Sequence, residues 1–340
     1  MYRCLLFLLV LSYTSHAQHV GWRSVDTKVQ ASFRGLSVVD DSVAWISGSK
    51  GWVGKSTDGG NTWKFARPVG YEQCDFRSIY AIDANTAIIA NAGAPAYILR
   101  TTDGGSTWQK LYENHDTSAF IDGIDMQGKK GIVYGDPIAG HMLMLHTTDG
   151  GVTWKEYPYA DRPLLCSGEA SFAASGTCIR YFGRRRVLIA TGGKVSRLFL
   201  SRNGGKSWRS IGTPILQGMS GTGIFSVLPL GRKHWVIAGG NYMQDTLRTA
   251  NLFYTYDAGG HWRTPRITTR GYRECLAAIS SRSILAVGPA GIDISHDDGD
   301  TWTPFSDEKQ LHVARRARKG ALTILAGGNG KIYILPVLDN

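Results

Sequence analysis

The sequence predicts an all-β fold, a single seven-bladed β-propeller of four-stranded antiparallel blades, on three observations. An eight-residue signature occurs six times, its copies are spaced as four short strands and their turns would be, and the two chain ends complement each other. The copies read S-T-D-G-G-N-T-W (Ser56 to Trp63), T-T-D-G-G-S-T-W (Thr101 to Trp108), T-T-D-G-G-V-T-W (Thr147 to Trp154), S-R-N-G-G-K-S-W (Ser201 to Trp208), T-Y-D-A-G-G-H-W (Thr255 to Trp262) and S-H-D-D-G-D-T-W (Ser295 to Trp302). The third positions, Asp58, Asp103, Asp149, Asn203, Asp257 and Asp297, follow one another at steps of 45, 46, 54, 54 and 40 residues. That period is four short strands plus their turns.

Each part of the signature has a local cause. The Asp or Asn side chain accepts hydrogen bonds from nearby backbone N–H groups, and Gly takes the positive φ of a tight turn. The closing Trp63, Trp108, Trp154, Trp208, Trp262 and Trp302 return apolar surface to the core and offer the indole N–H to a turn carbonyl. The pattern S/T-x-D-x-G-x-T-W resembles the Asp-box (BNR) repeat of sialidases, sortilin-type receptors, xyloglucanases and the photosystem II stability/assembly factor family. The resemblance implies a turn between the third and fourth strands of each blade, with a structural role away from any active site.

Taken in order, residues 1–17 carry Arg3, an apolar run from Leu5 to Leu11 and Ser15-His16-Ala17, the marks of a secretory leader cleaved near Ala17. The run is too short to span a bilayer, so residues 18–340 are expected to form one exported, periplasmic or secreted, monomeric domain. Removing the leader leaves 37 basic against 27 acidic residues, a net charge of +10, which favours an anionic partner. Cys74, Cys166, Cys178 and Cys275 remain. With a strand expected from Glu169 to Ser175, Cys166 and Cys178 would lie roughly 20 Å apart, so no disulfide is assigned.

Within each period, four strands A to D are read from the apolar runs. The first blade takes Phe33 to Val39, Val43 to Ser47, Trp52 to Ser56 and Thr62 to Ala66; the second takes Phe76 to Ala81, Thr86 to Ala90, Tyr97 to Thr101 and Thr107 to Leu111. After the last box come three strand-like runs, Leu311 to Ala314, Ala321 to Ala326 and Lys331 to Leu335. At the other end, His19 to Val25 reads as a D strand that has lost its box, with Trp22 in the Trp position. Joining them closes the ring and covers an exposed sheet edge.

The boxes share a face with the A–B turns, and five consecutive turns are basic: Lys129 and Lys130; Arg184, Arg185 and Arg186; Arg232 and Lys233; Arg282; then Arg315, Arg316, Arg318 and Lys319. The first blade has Asp40 and Asp41 instead. These turns are either a docking surface for an anionic protein or glycan or solvated charged hairpin tips that resist aggregation.

The opposite face carries the long loops, where function tends to sit, and is the expected site. The starts of the A strands offer Arg34, Arg77, Asp122, Glu169, Arg273 or Glu274, and His312 to the channel; the B–C loops, one of them Gly135 to His141, add Asp136, His141, Arg197 and Tyr242. Arg34, Arg77, Arg197, Tyr242, Arg273 and His312 are thus ligand-binding candidates, in a set that reads equally as a self-satisfied ion-pair ring. Asp122, Asp136 and Glu169 are the carboxylates a glycoside hydrolase would need. Against a sialidase, Phe33-Arg34-Gly35-Leu36 and Phe76-Arg77-Ser78-Ile79 share only Phe-Arg with that family's F-R-I-P segment. No spacing suggests a metal site or a cofactor, and nucleic acid is not expected as a partner. The single propeller, the leader, Tyr134-Gly135-Asp136-Pro137 and Gly168 to Thr177 resemble the photosystem II stability/assembly factor-like family, which implies a non-catalytic binding or assembly role.

Overall fold

The structure, a computed structural model, describes residues 21–336; the expected leader and cleavage site lie outside them. Seven antiparallel sheets form the blades. Their inner strands are Phe33–Val38, Ser78–Ala81, Ile121–Gln127, Ile179–Phe182, Thr222–Pro229, Cys275–Ala278 and Leu311–Arg316. Each touches the next, and the last returns to the first. The ring is closed by Arg23–Val25, which pairs with Ile332–Leu335 in the register Arg23 to Ile334 and Val25 to Ile332. Trp22 lies beside that seam, its ring 4.9 Å from Tyr333 and 6.0 Å from Phe305. A single apolar layer built from Leu36, Val38, Leu285, Val287, Val313 and Leu325 joins blades six, seven and one, so the closure is a packed core as well as a strand pair.

The boxes are self-contained turns. In the first, Ser56 Oγ accepts the Gly60 N–H at 2.8 Å and donates to Asp58 Oδ1 at 2.8 Å. Asp58 also accepts the Thr62 hydroxyl at 2.6 Å and its N–H at 2.9 Å, and Trp63 Nε1 donates to the Gly60 carbonyl at 3.0 Å. The Thr62 hydroxyl and then its N–H hold the Asp58 carboxyl at about 2; Thr107 does the same for Asp103. Asn203 replaces the carboxylate in the fourth box and still accepts the Ser207 N–H at 3.0 Å. In the fifth, His261 takes the threonine position, and Trp262 donates to Gly212 of the preceding blade at 3.0 Å. The outer strand of that blade shrinks to the Tyr254–Arg263 bridge.

Two local expectations are corrected. The stretch from Gly135 to His141 is not an open loop: strands Lys130–Ile138 and His141–Thr147 meet at a two-residue turn. There Ala139 and Gly140 both have positive φ, 49° and 84°, the geometry that suits a tight hairpin. The inner strand of blade four does not begin at Glu169. Glu169–Ala170 is a two-residue strand against Gly192–Gly193, on the inner edge of the fifth sheet, and the inner strand starts at Ile179. Residues 171–177, small except for Phe172, run across the channel instead, and small side chains suit a path that tight.

Blades one, three, five and seven each break register near the start of the inner strand, at Arg34, Asp122, Phe225 and His312. A bulge there re-aims one side chain. The corresponding places in blades two, four and six, just ahead of the inner strand, are Arg77, Cys178 and Glu274.

Candidate functional site

On the long-loop side the channel is filled. The Ser171 N–H donates to Asp136 Oδ1 at 2.9 Å, and the Phe172 ring stacks on Phe225 at 3.8 Å. Arg34 Nη1 donates to the Ala174 carbonyl at 2.9 Å, and the Ser175 hydroxyl donates to the Glu274 carbonyl at 2.7 Å. Arg315 Nη2 reaches the carbonyls of Ser175 and Gly176, both at 3.2 Å. One short segment therefore ties blades three, five, six, seven and one together.

The expected ligand-binding side chains on this face are mostly committed to carboxylates. Glu169, its side chain fully buried, accepts Arg197 Nη2 at 2.5 Å and Nε at 3.0 Å, the Thr191 hydroxyl at 2.6 Å and the Cys166 N–H at 2.9 Å. Arg197 opens a C strand rather than lying in a loop. Arg34 and His312 both bond Glu274 Oε2, at 3.0 and 2.8 Å, while Arg77 pairs with Asp75 at 2.7 Å. Arg273 is buried against Asp293, outside the ring of inner-strand starts, where Glu274 stands in its place. Tyr242 is half exposed and sets its edge to Phe172 and Phe225. His141 lies against Tyr159 at 3.9 Å.

Asp122 and Asp136 have no basic partner at salt-bridge distance among the described residues. Neither faces an open cleft, since Asp122 is fully buried and Asp136 holds the channel segment. Burial, and then the neighbouring Asp136, push the Asp122 carboxyl well above its ordinary value of 3.8, against a smaller pull from Arg77; burial also raises Asp136. A raised carboxyl contributes stability that is complete below about pH 3.8 and is lost as pH rises towards the folded value. Asp122→Asn, uncharged at every pH, is expected to melt higher than the parent at pH 8, by about 2 °C or more. The gap should close towards pH 4 in thermal melts, and an unchanged gap would show that Asp122 does not titrate in this range.

The box face is different in kind. Lys130, Arg184, Arg185, Arg186, Arg202 and Arg232 line a trough of about 770 Å³ that contains no carboxylate. Arg186 Nη1 donates to the Arg232 carbonyl at 2.9 Å, and burial followed by Arg232 and Arg202 lowers its guanidinium from the ordinary value. At the channel mouth on this side a cavity of about 150 Å³ lies among Arg180, Arg315, Arg316 and Arg318, with Asp125. Burial and then Arg180 bring the Arg315 guanidinium down to about 10. Arg318 stacks over Tyr80 at 4.6 Å. Among the described residues, none of the arginines named on this face forms a carboxylate ion pair, whereas Arg34, Arg77, Arg197 and Arg273 all do. Asp40 and Asp41, in the turn of blade one, lie beside the basic turn of blade seven and do not line the trough. Lys319 and Asp40 form a backbone β-bridge, the Asp40 carboxylate accepts the Ser42 and Val43 N–H groups of its own turn at 2.9 and 2.8 Å, and the Ala321 and Leu322 N–H groups each donate to Asp41 Oδ1 at 2.7 Å.

Arg202, in the second position of the fourth box, is absent from the turn-by-turn reading of charge. Its signal was a basic residue within the box beside a basic turn. Phe225 and Cys178 were missed because the ring was sought among charged residues. Cys74, Cys166, Cys178 and Cys275 are free, and no group of three or more His, Cys, Asp or Glu among the described residues is disposed to hold a metal ion.

Fold and boxes define the class: an Asp-box repeat, seven-bladed β-propeller. Within that class the chain resembles the YCF48-like assembly factors. Residues 14–116, under a third of the chain, match the family model described as photosynthesis system II assembly factor YCF48. Among solved structures, "YCF48 bound to D1 peptide" superposes with a TM-score of 0.65 at 17% identity, covering 94% of this chain and 97% of that one. YCF48 from Cyanidioschyzon merolae gives 0.63 at 16%, covering 92% and 98%. The GH74 xyloglucanase from Xanthomonas campestris gives 0.60 at 14%, covering 92% of this chain and 53% of its own. Comparison with curated proteins yields no match.

Proposed function

We propose that residues 18–340 are an exported, non-catalytic binding or assembly factor that docks an acidic protein segment on the box face. The observation that carries this reading is the contrast between the faces: arginines neutralised by carboxylates on the loop side, unpaired arginines in a carboxylate-free trough on the box side. Unpaired guanidinium groups in a concave surface raise the local concentration of anions and bind carboxylates bidentately. The structure of YCF48 bound to D1 peptide supports peptide binding as a use of this architecture. The filled channel and the clamped Glu169 weigh against hydrolysis at the loop face. No helix among the described residues is long and apolar enough to cross a membrane.

The test is binding of a fluorescein-labelled glutamate dodecamer by polarisation. The parent should bind it with an affinity that falls steeply as salt rises, and Arg184→Glu/Arg185→Glu/Arg202→Glu should weaken it at least tenfold. Equal affinity in the triple variant would overturn the assignment of the face, and glycan hydrolysis by the purified chain would overturn the non-catalytic reading.

A further inference from the structure

The arginine trough does not end in solvent. It shares Lys130 and Arg185 with a second cavity, of about 720 Å³, between blades three and four. The character changes there from guanidinium to ring: His146, Tyr157, Pro158 and Tyr181 line it. Tyr157 is fixed in place, its hydroxyl donating to the Gly204 carbonyl at 2.9 Å and its ring 4.6 Å from that of His146. Gly205 of the fourth box allows this approach, because a Cβ there would meet the Tyr157 hydroxyl. Burial, then Lys155 and Lys206, lower the His146 imidazole below its ordinary 6.5, which favours the neutral ring beside Tyr157. Of the lining residues only Asp161 is acidic, against Lys130, Arg185 and Lys206.

We propose that this cavity is an anchor pocket for one aromatic or large apolar side chain of the acidic protein segment docked in the adjoining trough. The proposal rests on the docking reading above and adds the partner's chemistry: carboxylates beside a bulky apolar residue. The cavity has room for a bulky side chain together with part of the segment that carries it, and its rings offer that side chain apolar surface to bury. Such anchors supply most of the binding energy at an interface, while surrounding charge mainly steers and aligns. An anionic polysaccharide matches the trough, but it has no side chain to place against Tyr157 and Tyr181. The continuity of the two cavities therefore favours a protein segment.

A set of labelled glutamate dodecamers, each with one Trp at a different position, is compared with the same peptides carrying Ser there. In the parent the best Trp peptide should bind at least tenfold tighter than its Ser counterpart. Thr148→Trp, at an exposed position on the pocket wall, should remove that advantage and leave the Ser peptide unchanged. The Arg184/Arg185/Arg202 triple variant should weaken both. Equal affinity of Trp and Ser peptides across the whole set overturns the anchor while leaving the docking reading intact. Absence of binding by every peptide overturns both. Displacement of the Trp peptides by polygalacturonate at a lower concentration than by unlabelled Ser peptide overturns the choice of a protein partner.

Discussion

Asp293→Ala is expected to destabilise the propeller by about 3–5 kcal/mol, the scale on which a broken buried ion pair is felt. Asp293 sits in the third strand of blade six and is 1% exposed. It accepts Arg273 Nε at 2.9 Å and also Nη2, together with the Arg270 N–H at 3.0 Å and Arg270 Nε at 2.7 Å. Arg273 is fully buried, and its remaining Nη1 is committed to the Tyr272 carbonyl at 2.7 Å. Burial pulls this guanidinium below its usual range even with Asp293 opposing. Removing the carboxylate strands a charge that cannot reach water. Urea unfolding at pH 7 measures the loss. Asp293→Leu combined with Arg273→Met should recover much of it, because matched apolar side chains impose no desolvation penalty. A loss below about 1 kcal/mol in the single variant would show that relaxation brings Arg273 water or another acceptor.

Glu274→Ala is expected to cost about 3 kcal/mol and to loosen the channel segment selectively. The Glu274 carboxylate is the shared acceptor of Arg34 and His312, while its backbone carbonyl receives the Ser175 hydroxyl. Arg34 in turn holds the Ala174 carbonyl. Loss of the carboxylate therefore frees one of the side chains that pin residues 171–177. Burial alone raises the Glu274 carboxyl, but Arg34 and His312 bring it below the ordinary 4.5. A lowered carboxyl stabilises above its unfolded value, and that stability is lost as pH falls through the folded one. The parent should thus lose part of its stability on acidification below about pH 4.5, and Glu274→Gln should lack that component. Hydrogen exchange reads the local effect: faster exchange at Ala174 to Thr177 than in the outer strands is expected. Uniform acceleration across all blades would sink the idea of a separately anchored segment.

The Asp boxes were readable because every bond in them closes within eight residues. Ser56, Asp58, Thr62 and Trp63 satisfy one another locally, so the same chemistry recurs wherever the pattern does, even with Asn203 or His261 substituted. Ring closure was readable for a similar reason, since Trp22 and three unpaired C-terminal runs left one sheet edge to cover. The candidate site was much less legible. The same residue type, arginine, is neutralised at Arg197, Arg34 and Arg273 and unpaired at Arg184, Arg202 and Arg315, and no local pattern separates the two sets.

By itself the sequence determined the all-β architecture, the number of blades, the closing strand pair and which turns share a face with the boxes. These follow from turn chemistry and strand period, interactions a few residues long. The tertiary structure alone decided that residues 171–177 fill the channel, that Asp41 accepts the backbone of the blade-seven turn, and that the free positive charge lies on the box face. Those outcomes depend on partners far along the chain, such as Arg34 with Ala174, 140 residues apart, and Asp41 with Leu322, 281 apart. A charge becomes available for binding only where folding brings it no counter-charge, and that is a property of the closed ring.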